Sequence, residues 1–371
     1  HGAYLRDYQG QNLHLLTYMH LARINQLKRD FKCAESFCKK IIEQHPDHKK
    51  VHFLKGQLAL VQGDYTGGWL CIDQFMRVQK MCAAFAIPRW QGESLKGKNL
   101  LILGEENLNL SMMTLRLLSA LFDMQTGEIA YCGPSHLHAL LVHNYPNLNL
   151  IDSHHIQHDQ LADFYHYYID QLCIGHHLNW WVNDKNKKFL PLSVNHQRME
   201  QIDNLLESYV PASKARIALA WCDQRSAGDL PSQQLHPFAN LLKFEQYRFI
   251  SVQSGDIGSA FGKLAEQEIR PLEILPDINF QHDIEGMCAL IKRMDLLITR
   301  DPLLGHLGGI MGVPTWLLIP YYYDWYWHQC HCYQNVQLFH TSSATGDILP
   351  LTLKRICDLL THGPPWDDHH G

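Results

Sequence analysis

The chain has 371 residues, 46% hydrophobic and 19% charged, and its 32 Lys and Arg against 37 Asp and Glu give a net charge of −5. That length exceeds one ordinary core, so two or three domains are expected. The acidic balance carries no electrostatic footprint for nucleic acid, and no apolar run approaches the roughly 18 residues of a membrane span, so neither a nucleic-acid partner nor an integral membrane location is expected.

The first 88 residues read as helical. "LLTYMHLARINQLKRDFKCAESFCKKIIEQHPDHKK" carries apolar and small residues at helical spacing. Counted from Leu15, the small, alanine and proline positions of a roughly 34-residue tetratricopeptide period fall on Ala22, Ala34 and Pro46, and Gly56 falls on the next small position. Two such repeats are fewer than a free stack needs, so they should pack on the rest of the chain. A generic helical hairpin fits the same residues.

Residues 88–98 are polar, with Pro and Gly, and read as a linker. Leu100-Leu101-Ile102-Leu103 is an apolar run of strand length, followed by a loop, and Ser111 is a candidate N-cap for a helix to about Phe122. Ile129-Ala130-Tyr131-Cys132 reads as the next strand. Residues 164–211 are aromatic and irregular. A second βα series starts at Ile217-Ala218-Leu219-Ala220-Trp221, continues through "HPFANLLKF" as helix, and reaches Phe249-Ile250-Ser251-Val252-Gln253 and "ILPD" as strands. Leu296-Leu297-Ile298-Thr299 and Thr315-Trp316-Leu317-Leu318-Ile319 then flank a helix over about 303–311, with Gly312 at its end and Pro314 beyond. These alternations predict an α/β fold: two doubly wound Rossmann-type domains, 98–212 and 213–360, preceded by the helical region 1–88 and followed by a disordered tail 361–371.

Eleven cysteines without a CxxC read as reduced, buried thiols of a cytoplasmic protein. Of the 25 histidines, His154, His155 and His158, and His331 between Cys330 and Cys332, lack the paired ligand spacing of a structural zinc site, so no metal is expected. His306 is different. It sits with Gly308 and Gly309 in the strand–helix unit, close to the strand's carboxyl end, where free N–H groups and absent side chains suit a phosphate. A capping histidine with glycines for tight helix–sheet packing is the other reading of the same residues.

The pieces Trp90-Gln91-Gly92-Glu93, "LLILGEENLNLSMMTLRLL", "IALAWCDQ", "FISVQSGD", "LLITRDPLLGHLGGIMGVPTWLLIP" and "DWYWHQ…YQNVQLF", in this order, resemble tetratricopeptide-linked, heptosyltransferase-like glycosyltransferases of the paired-Rossmann GT-B fold. The resemblance runs from about residue 15 to 360. It implies a nucleotide-diphospho-sugar donor and no other cofactor. The diphosphate would meet His306, Gly308 and Gly309, with Asp301 orienting that loop and Trp221 and Gln253 at the neighbouring strand ends. The acceptor would be a glycan, a lipid-linked glycan or a protein, and the repeats could engage a protein partner. Where the family pattern is close to E-Q-G-x-G-D, this chain reads Glu105-Glu106-Asn107-Leu108-Asn109-Leu110, with Leu110 at the family's acidic-base position. Leucine cannot accept a proton, so Glu105 becomes the candidate base. An Arg-Arg-Ser stretch of the family is Leu230, Pro231 and Ser232 here. Arg225 is either a substitute cation for the diphosphate or a solvated loop charge. A catalytically inactive binding or scaffold protein on the same fold is the rival expectation.

Overall fold

The computed structural model describes residues 11–77, 87–152, 161, 163–178, 191–210, 214–223, 234–255, 257, 272–276, 283–328, 333–343 and 346–362. Four helices come first: α1 Gln11–Leu27, α2 Phe31–Gln44, α3 Lys49–Val61 and α4 Tyr65–Arg77. They form two antiparallel hairpins. Ala22 and Ala34 are fully buried beside Ile41 and Leu58. At Gly56 a Cβ would come within 2.8 Å of the Gly68 carbonyl, so the missing side chain lets α3 and α4 touch at backbone distance. The small residues expected from the repeat period therefore sit at helix contacts. None of the described helices is long and apolar enough to cross a membrane.

Residues 87–98 are not a free linker. Arg89 bridges to Tyr168 at the edge of the first sheet, the Trp90 N–H donates to the Tyr168 carbonyl at 2.8 Å, and Trp90 and Leu95 are fully buried. Polar composition suggested a solvated connector, but two buried apolar side chains anchor it.

The first Rossmann-type domain carries β1 Leu100–Leu103, α5 Leu108–Leu115, α6 Leu118–Phe122, β2 Ile129–Gly133, α7 His138–Asn144, β3 Leu148–Asp152 and β4 Tyr167–Asp170. Its sheet is fully parallel, in the order β3-β2-β1-β4. Asn107, not Ser111, caps α5, its side chain accepting from the N–H groups of Asn109 and Leu110. Ser111 is buried inside the helix and uses its hydroxyl on Gln171 instead. The stretch read as irregular holds β4, whose Tyr167 and Tyr168 blur the strand pattern, and α8 His196–Tyr209, which carries Met199, Ile202, Leu205 and Leu206 at helical spacing behind the cap Asn195.

The second domain carries β5 Ala215–Ala220, β6 Tyr247–Ser251, α9 Ile284–Lys292, β7 Leu296–Thr299, α10 Pro302–Met311, β8 Thr315–Ile319, β9 Val336–His340 and α11 Leu349–His362. The sheet is again fully parallel, β6-β5-β7-β8-β9. "HPFANLLKF" is two short 3-10 turns, and the described residues of "ILPD", Ile274 to Pro276, form no strand: the bridge to Ile250 comes from Glu273 just before them, and Ile274 is exposed. Thr361 and His362 still belong to α11, so the helix runs past the expected start of the tail; 363–371 lie outside the described residues. Gly312 ends α10 in the left-handed conformation, φ 72°, as its place in the sequence requires.

One apolar cluster joins the two domains. It runs from Leu100, Ile102 and Met113 through Leu307 to Leu317, with α5 packed on α10. The helical region touches both domains: Asp73 of α4 reaches Arg89 beside the first, and Trp69 of α4 packs edge-on against Trp325 of the second at 5.7 Å.

Candidate functional site

In a doubly wound sheet the ligand crevice opens beyond the carboxyl ends of the strands where their order reverses. In the second domain that point lies between β5 and β7. The loops leaving it begin at Trp221 and at Arg300-Asp301. A cavity of about 450 Å³ opens there. Its floor is Asp223, Arg300, Pro302 and the end of β8, and its opposite wall is Arg23, Arg29 and Gln57 of the helical region. The aromatic segment Tyr321 to Trp325 closes one side.

None of the expected donor residues that the structure describes lines that cavity itself; they lie behind its wall. Asp301 is 5% exposed and caps α10, accepting from the Leu303 N–H at 2.8 Å, so the helix's first turn starts at the cavity wall through Pro302. Trp221 is fully buried, and its carbonyl accepts from Arg300 Nη1 at 3.4 Å. Gln253 is buried too. Its Oε1 accepts from the N–H groups of Trp221 and Cys222 at 3.0 and 2.8 Å, and its amide donates to the Cys222 carbonyl, so it fixes the loop after β5. Arg225 lies outside the described residues.

His306 is in the middle of α10 rather than at its start, and is 1% exposed. Its Nδ1 hydrogen-bonds the Tyr333 hydroxyl at 3.0 Å, and its ring stacks on Trp327 at 4.4 Å. A Cβ on Gly308 would collide with the Thr315 side chain, and one on Gly309 with the Tyr333 ring. All three residues thus press α10 onto β8, Trp327 and Tyr333. The packing reading of this motif, left open by the sequence, describes their contacts.

Sequence reasoning missed Arg300, Arg23 and Arg29. Arg300 had a signal: it is the first residue after β7, directly before the cap. Arg23 and Arg29 had none, because only the docking of the helical region onto the second domain brings them to the crevice. Both side-chain hydrogen bonds of Arg300 among the described residues leave from Nη1, to the Trp221 carbonyl and to Gln234 Oε1 at 2.7 Å.

The first domain's crevice, between β1 and β4, is bridged. Gln171 Oε1 accepts from the Glu105 N–H at 3.1 Å, from Ser111 at 3.1 Å and from the Tyr131 hydroxyl at 3.0 Å. Glu105 accepts from the Asn107 N–H at 3.0 Å, and burial, with Asp170 and Glu106 nearby, pushes its carboxyl up. Leu110 is half-buried against the joint apolar cluster. No group of three potential metal ligands occurs among the described residues; His154, His155, His158, Cys330, His331 and Cys332 lie outside them.

His328 lines the cavity and stacks on Tyr323 at 4.2 Å. Burial, reinforced by the positive charge of Arg29 and by His340, lowers its pKa from 6.5 to about 4. The folded state therefore binds fewer protons than the unfolded one between these values, and stability falls as pH drops from about 6.5 to about 4. We expect this residue to account for a loss on the order of 1–2 kcal/mol over that window, after allowing for the ring's partial exposure. Chemical denaturation of wild type and His328→Phe at pH 7 and pH 4.5 measures it. The variant should show the flatter profile, and identical profiles would refute the assignment.

No family model matches the chain, and no curated protein matches it. Among solved structures, a glycosyl transferase family 9 protein from Veillonella parvula superposes with a TM-score of 0.53 at 14% identity, covering 73% of this chain and 99% of that one. The E. coli ADP-heptose lps heptosyltransferase II superposes with a TM-score of 0.51 at 13% identity, covering 71% of this chain and 99% of that one. At such identities the likeness establishes the fold: paired Rossmann-type domains with parallel sheets, of the GT-B kind.

Proposed function

We propose that this chain is a glycosyltransferase that moves a sugar from a nucleotide-diphospho-sugar to an acceptor glycan, lipid-linked glycan or protein. The observation that carries the reading is the cavity at the strand-order reversal of the second sheet, where Arg300 and the first turn of α10 meet. A cation and a helix N-terminus together favour a diphosphate, both as bound substrate and as departing group. In this reading Asp301 holds the helix start, Trp221 and Gln253 hold the facing loop, and His306, Gly308 and Gly309 fix the depth of α10. Arg225 is a further cation for the phosphates, and Glu105 is the base that deprotonates the acceptor hydroxyl. The helical hairpins act as tetratricopeptide-like repeats, available to a protein partner, in a cytoplasmic enzyme that needs no metal.

Nucleotide binding tests the reading. ADP, UDP or GDP at about 100 times its dissociation constant should stabilise the fold by about 2.7 kcal/mol, read as a rise in melting temperature. If no nucleotide or nucleotide sugar moves the transition at millimolar concentration, the transferase reading fails. His306→Ala is a poor probe of the site, because it would hollow the stack on Trp327.

The bridged crevice of the first domain favours a second reading. Gln171 spans it, and Leu110 faces apolar neighbours where the resembling family has an acid. A binding or scaffold protein that keeps the nucleotide pocket without turnover fits those residues.

A further inference from the structure

We infer that the helical region completes an anion site: Arg23 and Arg29 together with Arg300 form one composite pocket for a diphosphate, and the ligand class is a nucleoside diphosphate. The inference deepens the transferase reading and rests on it for the nucleoside, while the arginine pocket stands on its own geometry. Three arginines from two separate parts of the chain line the same cavity of about 450 Å³. None of them pairs with a carboxylate among the described residues. Arg23 donates to Gln26 at 2.7 Å and to Gln57 at 3.4 Å, both neutral amides. Arg29 donates to the Tyr321 carbonyl at 3.5 Å and lies over the Tyr321 and Tyr323 rings at 4.7 and 5.4 Å. Its Nε is buried without a hydrogen-bond partner among the described residues. Arginine keeps its charge at any physiological pH, and the three guanidinium groups outnumber the two carboxylates of the lining, Asp223 and Asp324, neither of which forms an ion pair with them, so the hollow carries a net positive charge. An anion with several oxygens offsets that charge and supplies acceptors for their remaining donors.

The backbone points the same way. Arg29 adopts φ 61°, the left-handed region, in the turn between α1 and α2. Glycine would avoid a cost of about 1 kcal/mol at this turn, but it could not reach the aromatic segment. The remaining lining suits the rest of a nucleotide. Asp223 and Asp324 offer carboxylate acceptors of the kind that bind ribose hydroxyls, and Tyr322 and Trp325 offer faces for a base. The cavity volume lies within the usual range for small-molecule sites, roughly 300–1,000 Å³. The helical region is then part of the donor site, supplying cations where the resembling family's arginines are absent.

Calorimetric titration of the full chain with inorganic pyrophosphate, with ADP, UDP and GDP, and with the bare nucleosides tests this. The comparison is wild type against Arg23→Gln, Arg29→Gln, Arg29→Lys and Arg300→Gln. Arg23 is on the exposed side of α1, so Arg23→Gln should not endanger folding. Each arginine-to-glutamine change should weaken pyrophosphate and at least one nucleoside diphosphate by about tenfold or more, with Arg29→Lys intermediate. Nucleoside diphosphate should bind more tightly than pyrophosphate, and bare nucleosides weakly. If nucleotides bind and only Arg300→Gln weakens them, the composite site is wrong and the transferase reading survives. If pyrophosphate binds with dependence on all three arginines but no nucleotide improves on it, the anion site stands and the transferase reading falls. If neither pyrophosphate nor any nucleotide binds wild type, both are overturned.

Discussion

Replacing Arg89 by methionine is expected to lower the unfolding free energy by about 3–5 kcal/mol, since it takes a buried cation from between two buried carboxylates. Arg89 Nη1 lies 2.6 Å from Asp73 Oδ1, and its Nη2 lies 3.0 Å from Asp170 Oδ2. His177 Nε2 adds a contact to Asp73 at 3.2 Å. The side chains of Asp73, Asp170, Arg89 and His177 are 0%, 6%, 7% and 6% exposed, so little water can replace the lost partner. For a chain of this length melting as a unit, the loss corresponds to roughly 5 °C. Scanning calorimetry reads it. The triple change Asp73→Asn, Arg89→Met, Asp170→Asn removes the charges together and should recover much of the stability, because a buried ion network often contributes little beyond an uncharged replacement. A loss under about 1 kcal/mol in Arg89→Met would show that the network does not hold this joint. The same joint bears on binding. Asp73 belongs to α4 and Asp170 ends β4, so the network fixes the helical region against the first domain and, with it, Arg23 and Arg29 over the cavity.

Glu105→Gln is expected to reduce turnover by about 10² to 10⁴ while leaving nucleotide affinity within a few fold. The substitution keeps the oxygen that accepts from the Asn107 N–H and removes only the basicity. Burial already pushes this carboxyl up, in the direction of a better base. Donor hydrolysis and transfer assays on both proteins measure the effect, with affinity measured separately. Full activity in Glu105→Gln would move the base elsewhere. The companion change, Leu110→Asp, sets a carboxylate against the apolar cluster joining the domains, so it should destabilise the fold as well. If wild type binds nucleotide without turnover and Leu110→Asp gains slow hydrolysis, the scaffold reading replaces the enzyme.

Much of the frame was legible in the chain. Leu100 to Leu103, Leu296 to Thr299 and Thr315 to Ile319 are apolar runs without alternation, and such runs fit strands covered on both faces. Gly312 marked its helix end because a left-handed residue there favours glycine. These features depend on neighbours a few residues away. β4 escaped notice because Tyr167 and Tyr168 serve a strand, a helix or a loop equally well, and packing partners decide between them; α8 did carry a local signal, Met199, Ile202, Leu205 and Leu206 at helical spacing behind Asn195.

The sequence by itself determined that strand, cap and helix start follow one another where β7 turns into α10, since the three are contiguous. It could not assign the crevice's lining. His306, Gly308 and Gly309 resemble a phosphate loop in spacing, yet the side that faces Thr315, Trp327 and Tyr333 is set by how α10 rotates on its sheet. Arg23 and Arg29 lie more than 270 residues from Arg300 in the chain. Only the packing of the helical hairpins against the aromatic segment, with the Arg89 network fixing their other side, brings those charges to one cavity. Local sequence carries local hydrogen bonding and hydrophobic period. The meeting of distant charges is decided by the burial of surfaces that no single segment contains.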